Sequence, residues 1–250
     1  IGYEKKSILL FGEKLDLAKN WYKERKDVKS KYTNKMLNTI ENSIKEVHEK
    51  FLQIPDINII NPKNFLFFLK DFLLKDGVNF SNEEIDKLDK FLKKKESHLY
   101  DFIIVSAGSW SNSILGKKNI KMKPIKGQLL HIKTNKKLIH NILIYNNYYI
   151  IQRNDNEIIV GATLEDVGFD TELTESGKNF LKKSLSDLFL EKVEISNIEQ
   201  TFGFRPHADK NEPYVCLDPC NKKIIYNFGH YRYGILTAIP SAQIVKRLVS

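Results

Sequence analysis

Apolar residues fall in short blocks whose spacing changes along the chain, and each change of period predicts a change of element. Residues 7–11 (SILLF) read as a strand, and the stretch behind it carries Leu17 and Trp21 one helical turn apart. Leu37, Ile40, Ile44, Val47 and Phe51 recur at alternating steps of three and four, the pattern of one face of a packed surface helix. Beyond Pro55, residues 57–60 predict a short strand. Asn61-Pro62 then opens a helix rich in Phe and Leu that ends at Gly77 and should lie against a sheet. Residues 81–95 are ambiguous: Ser81 and Glu84 match a capping box, and Ile85, Leu88 and Leu92 keep helical spacing.

Residues 102–105 are apolar without interruption, as in a buried parallel strand, and the Ser106-Ala107-Gly108 tip suits close approach to a ligand or helix. From Gly127 to Thr163 the period becomes that of strands, at 128–132, 142–145, 148–152 and 158–160, with Asn154-Asp155-Asn156 as a turn. An antiparallel sheet follows. Phe180, Leu181, Leu185, Leu188 and Phe189 predict a helix, 195–204 and 224–228 further strands, and residues from about 235 a terminal helix.

Composition adds limits. With 250 residues, 42% of them hydrophobic, the chain can bury a substantial core. A formal charge of +9 would suit nucleic acid or an anionic membrane if it were clustered. The basic residues are mostly Lys, scattered among Asp and Glu, with Lys93-Lys94-Lys95 the densest run, so a solvated surface is expected and no nucleic-acid partner. Cys216 and Cys220 lack the companions of a structural zinc site, so no metal is expected. They read as free thiols of a reducing cytosol, with a short-loop disulfide as the alternative. No apolar run reaches the roughly 18 to 20 residues of a membrane span, and no secretion signal opens the chain, so a cytoplasmic protein is expected. Ile1 in place of Met suggests residues upstream.

Three places carry candidate chemistry. Gly203-Phe204-Arg205-Pro206 puts an Arg at the end of a predicted strand, held extended by the Pro, where its planar fork can bind a carboxylate or simply form an ion pair. Gly229-His230-Tyr231-Arg232-Tyr233-Gly234 joins a strand to the last helix, either as an ordinary turn or as backbone N–H groups facing an anion or an electron-rich ring. Tyr148 and Tyr149 are adjacent in a strand and must point to opposite faces, so at most one of them faces a given cavity.

In this order these pieces resemble the FAD-dependent glycine oxidase and D-amino-acid oxidase family over nearly the whole chain. The marks are 105–111 (VSAGSWS), 124–128 (PIKGQ), 149–153 (YIIQR), 160–163 (VGAT) with 165–168 (EDVG), 203–206 (GFRP), and 229–232 (GHYR) through Leu236.

The resemblance implies an α/β (α+β) fold of two interleaved lobes. Residues 57–118 and 205–250 would form an incomplete Rossmann-like FAD-binding lobe, and 1–56 and 119–204 a substrate lobe with an antiparallel sheet and flanking helices. It further implies that Arg205 grips the substrate carboxylate, Tyr149 adds a hydroxyl, Arg232 completes the pocket and Leu164 forms a wall. Ala107, Gly108 and Trp110 would adjoin the cofactor, His230, Tyr231, Arg232, Tyr233, Gly234, Ile235 and Leu236 would run past the flavin ring, and Ile85 would touch the adenine, which favours a strand there. The implied reaction is hydride transfer from the α-carbon of a small amino acid, with oxygen or another electron acceptor completing the cycle, in thiamine thiazole synthesis. D-amino acids or secondary amines such as sarcosine are alternative substrates, and an inactive fragment or binding module the non-enzymatic alternative. The oligomeric state is open, a homo-oligomer included. The 250 residues hold no G-x-G-x-x-G stretch, which should precede Ile1. Gln152, His207-Ala208 and Tyr233 depart from the family pattern.

Overall fold

The structure is a computed structural model that describes residues 3–13, 15–24, 31–33, 44, 51–116, 120–154, 156–188, 197–210 and 212–250. In chain order its elements are β1 (Glu4–Phe11), α1 (Leu15–Glu24), β2 (Lys31–Thr33), β3 (Phe51–Ile59), α2 (Pro62–Lys75), α3 (Leu88–Leu92), β4 (Ile103–Val105) and α4 (Ser111–Leu115). They continue as β5 (Met122–Lys133), β6 (Ile142–Tyr145), β7 (Tyr148–Arg153), β8 (Glu157–Gly161), α5 (Glu175–Leu188), β9 (Ile198–Ala208), β10 (Tyr214–Leu217), β11 (Ile224–Phe228) and α6 (Gly234–Val249). The class is mixed α and β, as expected.

The chain divides into two compact units, each discontinuous in sequence. Unit 1 holds residues 1–80, 128–163 and 172–202, and unit 2 holds 81–127, 164–171 and 203–250. Strands β5 and β9 run through both units as continuous chain. Residues 57–80, expected with the flavin lobe, fall in unit 1.

Unit 1 is built on a sheet of order β2-β3-β1-β6-β7-β8-β5-β9. The expected antiparallel pairings of β7 with β8 and of β8 with β5 are present, and β1 joins β6 in parallel. Strand alternation explains its two apolar layers. Ile158 and Val160 of β8 face a core shared with Leu9, Phe11, Leu130, Ile132 and Ile150, whereas Ile159 packs with Ile142 and Ile151 on the other side. Helix α5 closes the first layer with Leu181, Leu185 and Leu188. Of the residues expected on its face, Phe180 is exposed and Phe189 lies outside the described residues.

Several expectations needed correction. The helix expected from Leu37 to Phe51 falls mostly outside the described residues, but Ile44 forms a β-bridge and Phe51 begins β3, paired with Thr33. Strand pairing accounts for those two residues. Among the described side chains of α1, Leu15 is buried, packed with Leu52 and Ile54, while Leu17 points to solvent; the side chain of Trp21, expected on the same face as Leu17, lies outside the described ones. Helix α2 starts where expected, with Asn61 Oδ1 accepting from the backbone of Lys63 and Asn64. It buries no residue, however, and Leu66, Phe67, Phe68 and Phe72 are exposed. An apolar sequence made the helix without supplying a sheet beneath it.

Unit 2 centres on a sheet of order β10-β11-β4, with β11 parallel to β4 and antiparallel to β10. Strand β10 had no clear sequence signal. Its core gathers Leu88, Val105, Leu115, Met122, Ile224, Tyr226 and Phe228. The parallel strand β4 is short and only half enclosed: Val105 is buried, but Phe102 and Ile104 are exposed. Residues 81–87 form neither the helix of the capping-box reading nor the strand of the resemblance. Ser81 Oγ accepts from Glu83 N in a local turn, and α3 begins only at Leu88. Beyond β10, Asp218 is fully buried, accepting from the Tyr226 hydroxyl and from the backbone of Cys220 and Asn221.

Removing buried methylenes leaves a cavity in a layer that cannot collapse fully. Leu181→Ala is expected to lower unfolding free energy in denaturant by about 2 to 5 kcal/mol, and Leu181→Met by less than about 1.5 kcal/mol. Equal effects of the two variants would show that Leu181 is not packed as described.

Candidate active site

Arg205 lies inside β9, not at its end. Pro206 does not stop the strand, because β9 is last in the sheet order and an edge strand tolerates a missing N–H. The half-buried guanidinium crosses β5, where Nη1 donates to the carbonyl of Lys126 at 3.4 Å. It occupies the space a side chain on Gly127 would need.

The Lys126 side chain is fully buried and answered by two carboxylates, Asp170 at 2.8 Å and Glu165 at 3.9 Å. Its backbone also pairs with that of Glu165 in both directions. Ion pairing and backbone pairing together hold the 164–171 segment against β5. Leu164, the expected hydrophobic wall, opens this segment and is exposed. Further along, Phe169 stacks on Trp110 at 5.4 Å, and Phe204 meets both rings edge-on. Trp110 thus packs beside the residue preceding Arg205.

Downstream of Arg205, the Pro206 carbonyl accepts from Tyr231 N at 2.9 Å, and His207 bridges His230. The turn from Gly229 to Gly234 is thereby tied to β9. Gly229 has φ +86° and Tyr231 φ +50°. A left-handed Tyr is uncommon, and such positions concentrate at functional sites. Gly234 has no such requirement: it begins α6, and a Cβ there would meet nothing closer than 4.0 Å. The side chain of Arg232 lies over the Tyr231 ring at 5.4 Å. Tyr233 caps α6 without a side-chain hydrogen bond, so the helix begins with backbone donors that no cap residue satisfies. Ile235 and Leu236 are exposed in that first turn.

Ala107 and Gly108 follow the tip of β4, and Gly108 has φ +54° with open space where a Cβ would stand. Ile85 sits half-buried in the irregular stretch before α3. Unit 2 therefore links Arg205, Leu164, Trp110 and the 229–234 turn through β5 and β9. In unit 1, Tyr148 is buried and Tyr149 partly exposed, on opposite faces of β7 as strand geometry requires. Burial raises the Tyr148 phenol well above its ordinary value. Tyr149 lies opposite Gly161 of β8.

A cavity of about 240 Å³ lies beside the turn, lined by His207, Pro213, His230, Tyr231, Tyr233 and Thr237 among others. His230 Nε2 faces Asn227 Oδ1 at 3.0 Å and Nδ1 faces Thr237 Oγ1 at 2.9 Å. His207 packs its ring edge-on to Tyr231, and its Nδ1 is buried without a partner. Sequence reading missed this cavity and the Lys126 cluster. A Lys as the one charged residue of 124–130 was the available signal. Cys216 and Cys220 are free and exposed, and burial pushes the Cys216 thiol up. No group of three or more His, Cys, Asp or Glu suited to a metal occurs among the described residues. None of the described helices is long and apolar enough to cross a membrane.

Burial pushes the His230 imidazole below its ordinary value of 6.5. Above that pH the folded and unfolded forms are both neutral and the residue adds no pH dependence. Below it the unfolded chain takes the proton more readily, so folded stability falls. Melting temperature is expected to drop as pH falls from about 7 to 5.5, with a shallower slope in His230→Gln. An unchanged slope in that variant would remove His230 as a cause.

The sequence model of the family described as FAD dependent oxidoreductase matches residues 1–248. Glycine oxidase of Pseudomonas putida is 30% identical over 152 residues, 60% of this chain and 42% of that protein. The bifunctional protein ThiO/ThiG of Trichormus variabilis is 31% identical over 146 residues, 57% of this chain and 22% of that protein. The matched stretch thus covers less than half the length of these curated relatives. Among solved structures, glycine oxidase from Geobacillus kaustophilus superposes with a TM-score of 0.83 at 18% identity, covering 100% of this chain and 72% of that one. Iminodiacetate oxidase from a Chelativorans species gives a TM-score of 0.86 at 20% identity, covering 99% and 73%. At these identities the structural likeness is one of fold.

Proposed function

The chain belongs to the family of FAD dependent oxidoreductases, and we propose that the whole protein oxidises glycine or a similarly small amino acid to its imino acid, with oxygen taking the electrons as hydrogen peroxide. The relatives in sequence, glycine oxidases and ThiO/ThiG proteins, support this substrate class and a place in thiamine thiazole synthesis. The observation that carries the reading is Arg205: a half-buried guanidinium, fixed on β5 and joined through Pro206 to the turn before α6. A planar fork held in one orientation suits a carboxylate, and holding it in advance reduces the entropy lost on binding.

The residues of unit 2 fit a flavin. Open space beside Gly108, the exposed apolar surfaces of Trp110, Ile235 and Leu236, and the uncapped start of α6 are the kinds of surface and backbone donor that an electron-rich ring system meets. On this reading unit 2 is the flavin lobe. FAD, when bound, supplies the two-electron acceptor that no side chain provides.

The protein's share is binding and orientation. Arg205 binds the substrate carboxylate, with Arg232 and the Tyr149 hydroxyl as further donors, and Leu164 limits side-chain size. Gly234, Ile235 and Leu236 at the start of α6 present backbone N–H groups to developing negative charge, His230, Tyr231, Arg232 and Tyr233 run past the ring, and Ala107, Gly108, Trp110 and Ile85 adjoin the cofactor. A substrate that arrives with a neutral amine needs no general base, and the residues named include none.

The test is the visible spectrum of the full-length protein without oxygen. Flavin bands that bleach with glycine support the reading, and bands unmoved by glycine but bleached by a bulkier amine overturn the substrate. Arg205→Ala is expected to raise the half-bleaching glycine concentration roughly 10- to 100-fold, the worth of a hydrogen bond to a charged group. An unchanged concentration would exclude the role given to Arg205.

A further inference from the structure

A glycine inside a β-strand weakens it, so its presence asks for a reason. Gly127 in β5 and Gly161 in β8 are both buried, and neither has the left-handed backbone that only glycine accepts readily. Their reason is spatial. A Cβ on Gly127 would overlap Nη1, Nη2 and Cζ of Arg205. A Cβ on Gly161 would stand 2.6 Å from Cζ and Oη of Tyr149 and 2.5 Å from Leu129 Cδ2. Register explains the second case: Gly161 is directly opposite Tyr149 on β7 and Leu129 on β5, so their side chains share its face.

Resting on the glycine-oxidising reading above, we propose that Gly127 and Gly161 are positioning residues whose missing side chains form the seats of the Arg205 guanidinium and the Tyr149 phenol. Each is a place where a single methyl group displaces a substrate-binding group while leaving the backbone conformation accessible. Arg205 is long and flexible, so Gly127→Ala relieves its clash by moving the guanidinium off β5, at little cost to the fold. Tyr149 has less freedom, and Gly161→Ala must turn its ring or push Leu129 aside. Gly203 on β9 is the matching control, because a Cβ there meets nothing within 4 Å.

The experiment is an anaerobic titration of the full-length holoenzyme with glycine, read from flavin absorbance, for the parent, Gly127→Ala, Arg205→Ala and the double variant, with Gly203→Ala alongside. Gly127→Ala is expected to raise the half-saturating concentration roughly as much as Arg205→Ala, about 10- to 100-fold. The double variant should be no worse than Arg205→Ala, since a seat without an occupant has no further effect. The same pattern is expected for Gly161→Ala with Tyr149→Ala, which empties the seat, and Leu129→Ala is added if Gly161→Ala alone does not fold. Melting curves check folding in each case. A Gly127→Ala enzyme within about twofold of the parent, or a double variant in which both losses multiply, overturns the proposal, because a merely structural glycine behaves that way. A parent whose flavin ignores glycine sinks the substrate reading. The seats are then judged by the same series on acetate, a carboxylate without an amine, and a parent indifferent to both probes overturns both ideas.

Discussion

A guanidinium lies flat and still across a pleated strand only where that strand leaves it room, and such places are few. Arg205 finds one across Gly127, with the Lys126 carbonyl accepting from Nη1. The rest of unit 2 follows from keeping it there. Strand β5 must have no side chain at that point, and β9 must stay extended beyond the arginine. Pro206 meets the second demand through its fixed φ, and its carbonyl takes the N–H of Tyr231. One seated side chain therefore ties β5, β9 and the entry to α6 into a single arrangement.

The charges around this seat are sorted. Burying Lys126 carries a desolvation penalty that only close carboxylates offset, and Asp170 and Glu165 supply them. Both carboxylates belong to the 164–171 segment, so the pairing that offsets the buried charge also docks Leu164 and Phe169. Phe169 in turn closes the aromatic group with Trp110 and Phe204. The polar contacts give the segment its register and the rings give it area. Replacing the ion pairs by apolar contact would keep the area and lose the register.

The strands of unit 1 were legible because both faces of the sheet are covered, which writes strong apolar runs into β5 to β8. Helix α2 was legible from Asn61-Pro62, a local signal read by local chemistry. The helix expected over 37–51 was misread at Ile44 and Phe51, where apolar spacing of three and four coincided with a β-bridge at the first and a strand at the second. Arg205 was legible as a candidate, but its place inside β9 was not, since Pro206 ends a strand only when its N–H is needed. Lys126 was hidden by its neighbours, for nothing in 124–128 shows that carboxylates from 165 and 170 converge on it. The seats at Gly127 and Gly161 were least legible of all, because a glycine's reason here is the side chain of another strand.

The turn before α6 shows the same economy of charge. A helix start carries partial positive charge from its unsatisfied N–H groups, so a cation there is disfavoured. His230 lies at that start, and its Nδ1 faces Thr237 in the first turns of the helix. Burial lowers its affinity for a proton, which keeps the ring neutral. A neutral ring bridging Asn227 and Thr237 braces the turn without adding charge. The strained Tyr231 is held on both sides, by Pro206 through its backbone and by the edge-on His207 ring. The N–H of Tyr231 and that of Tyr233 are thus used inside the turn, and the backbone donors left without a side-chain cap are those that open α6.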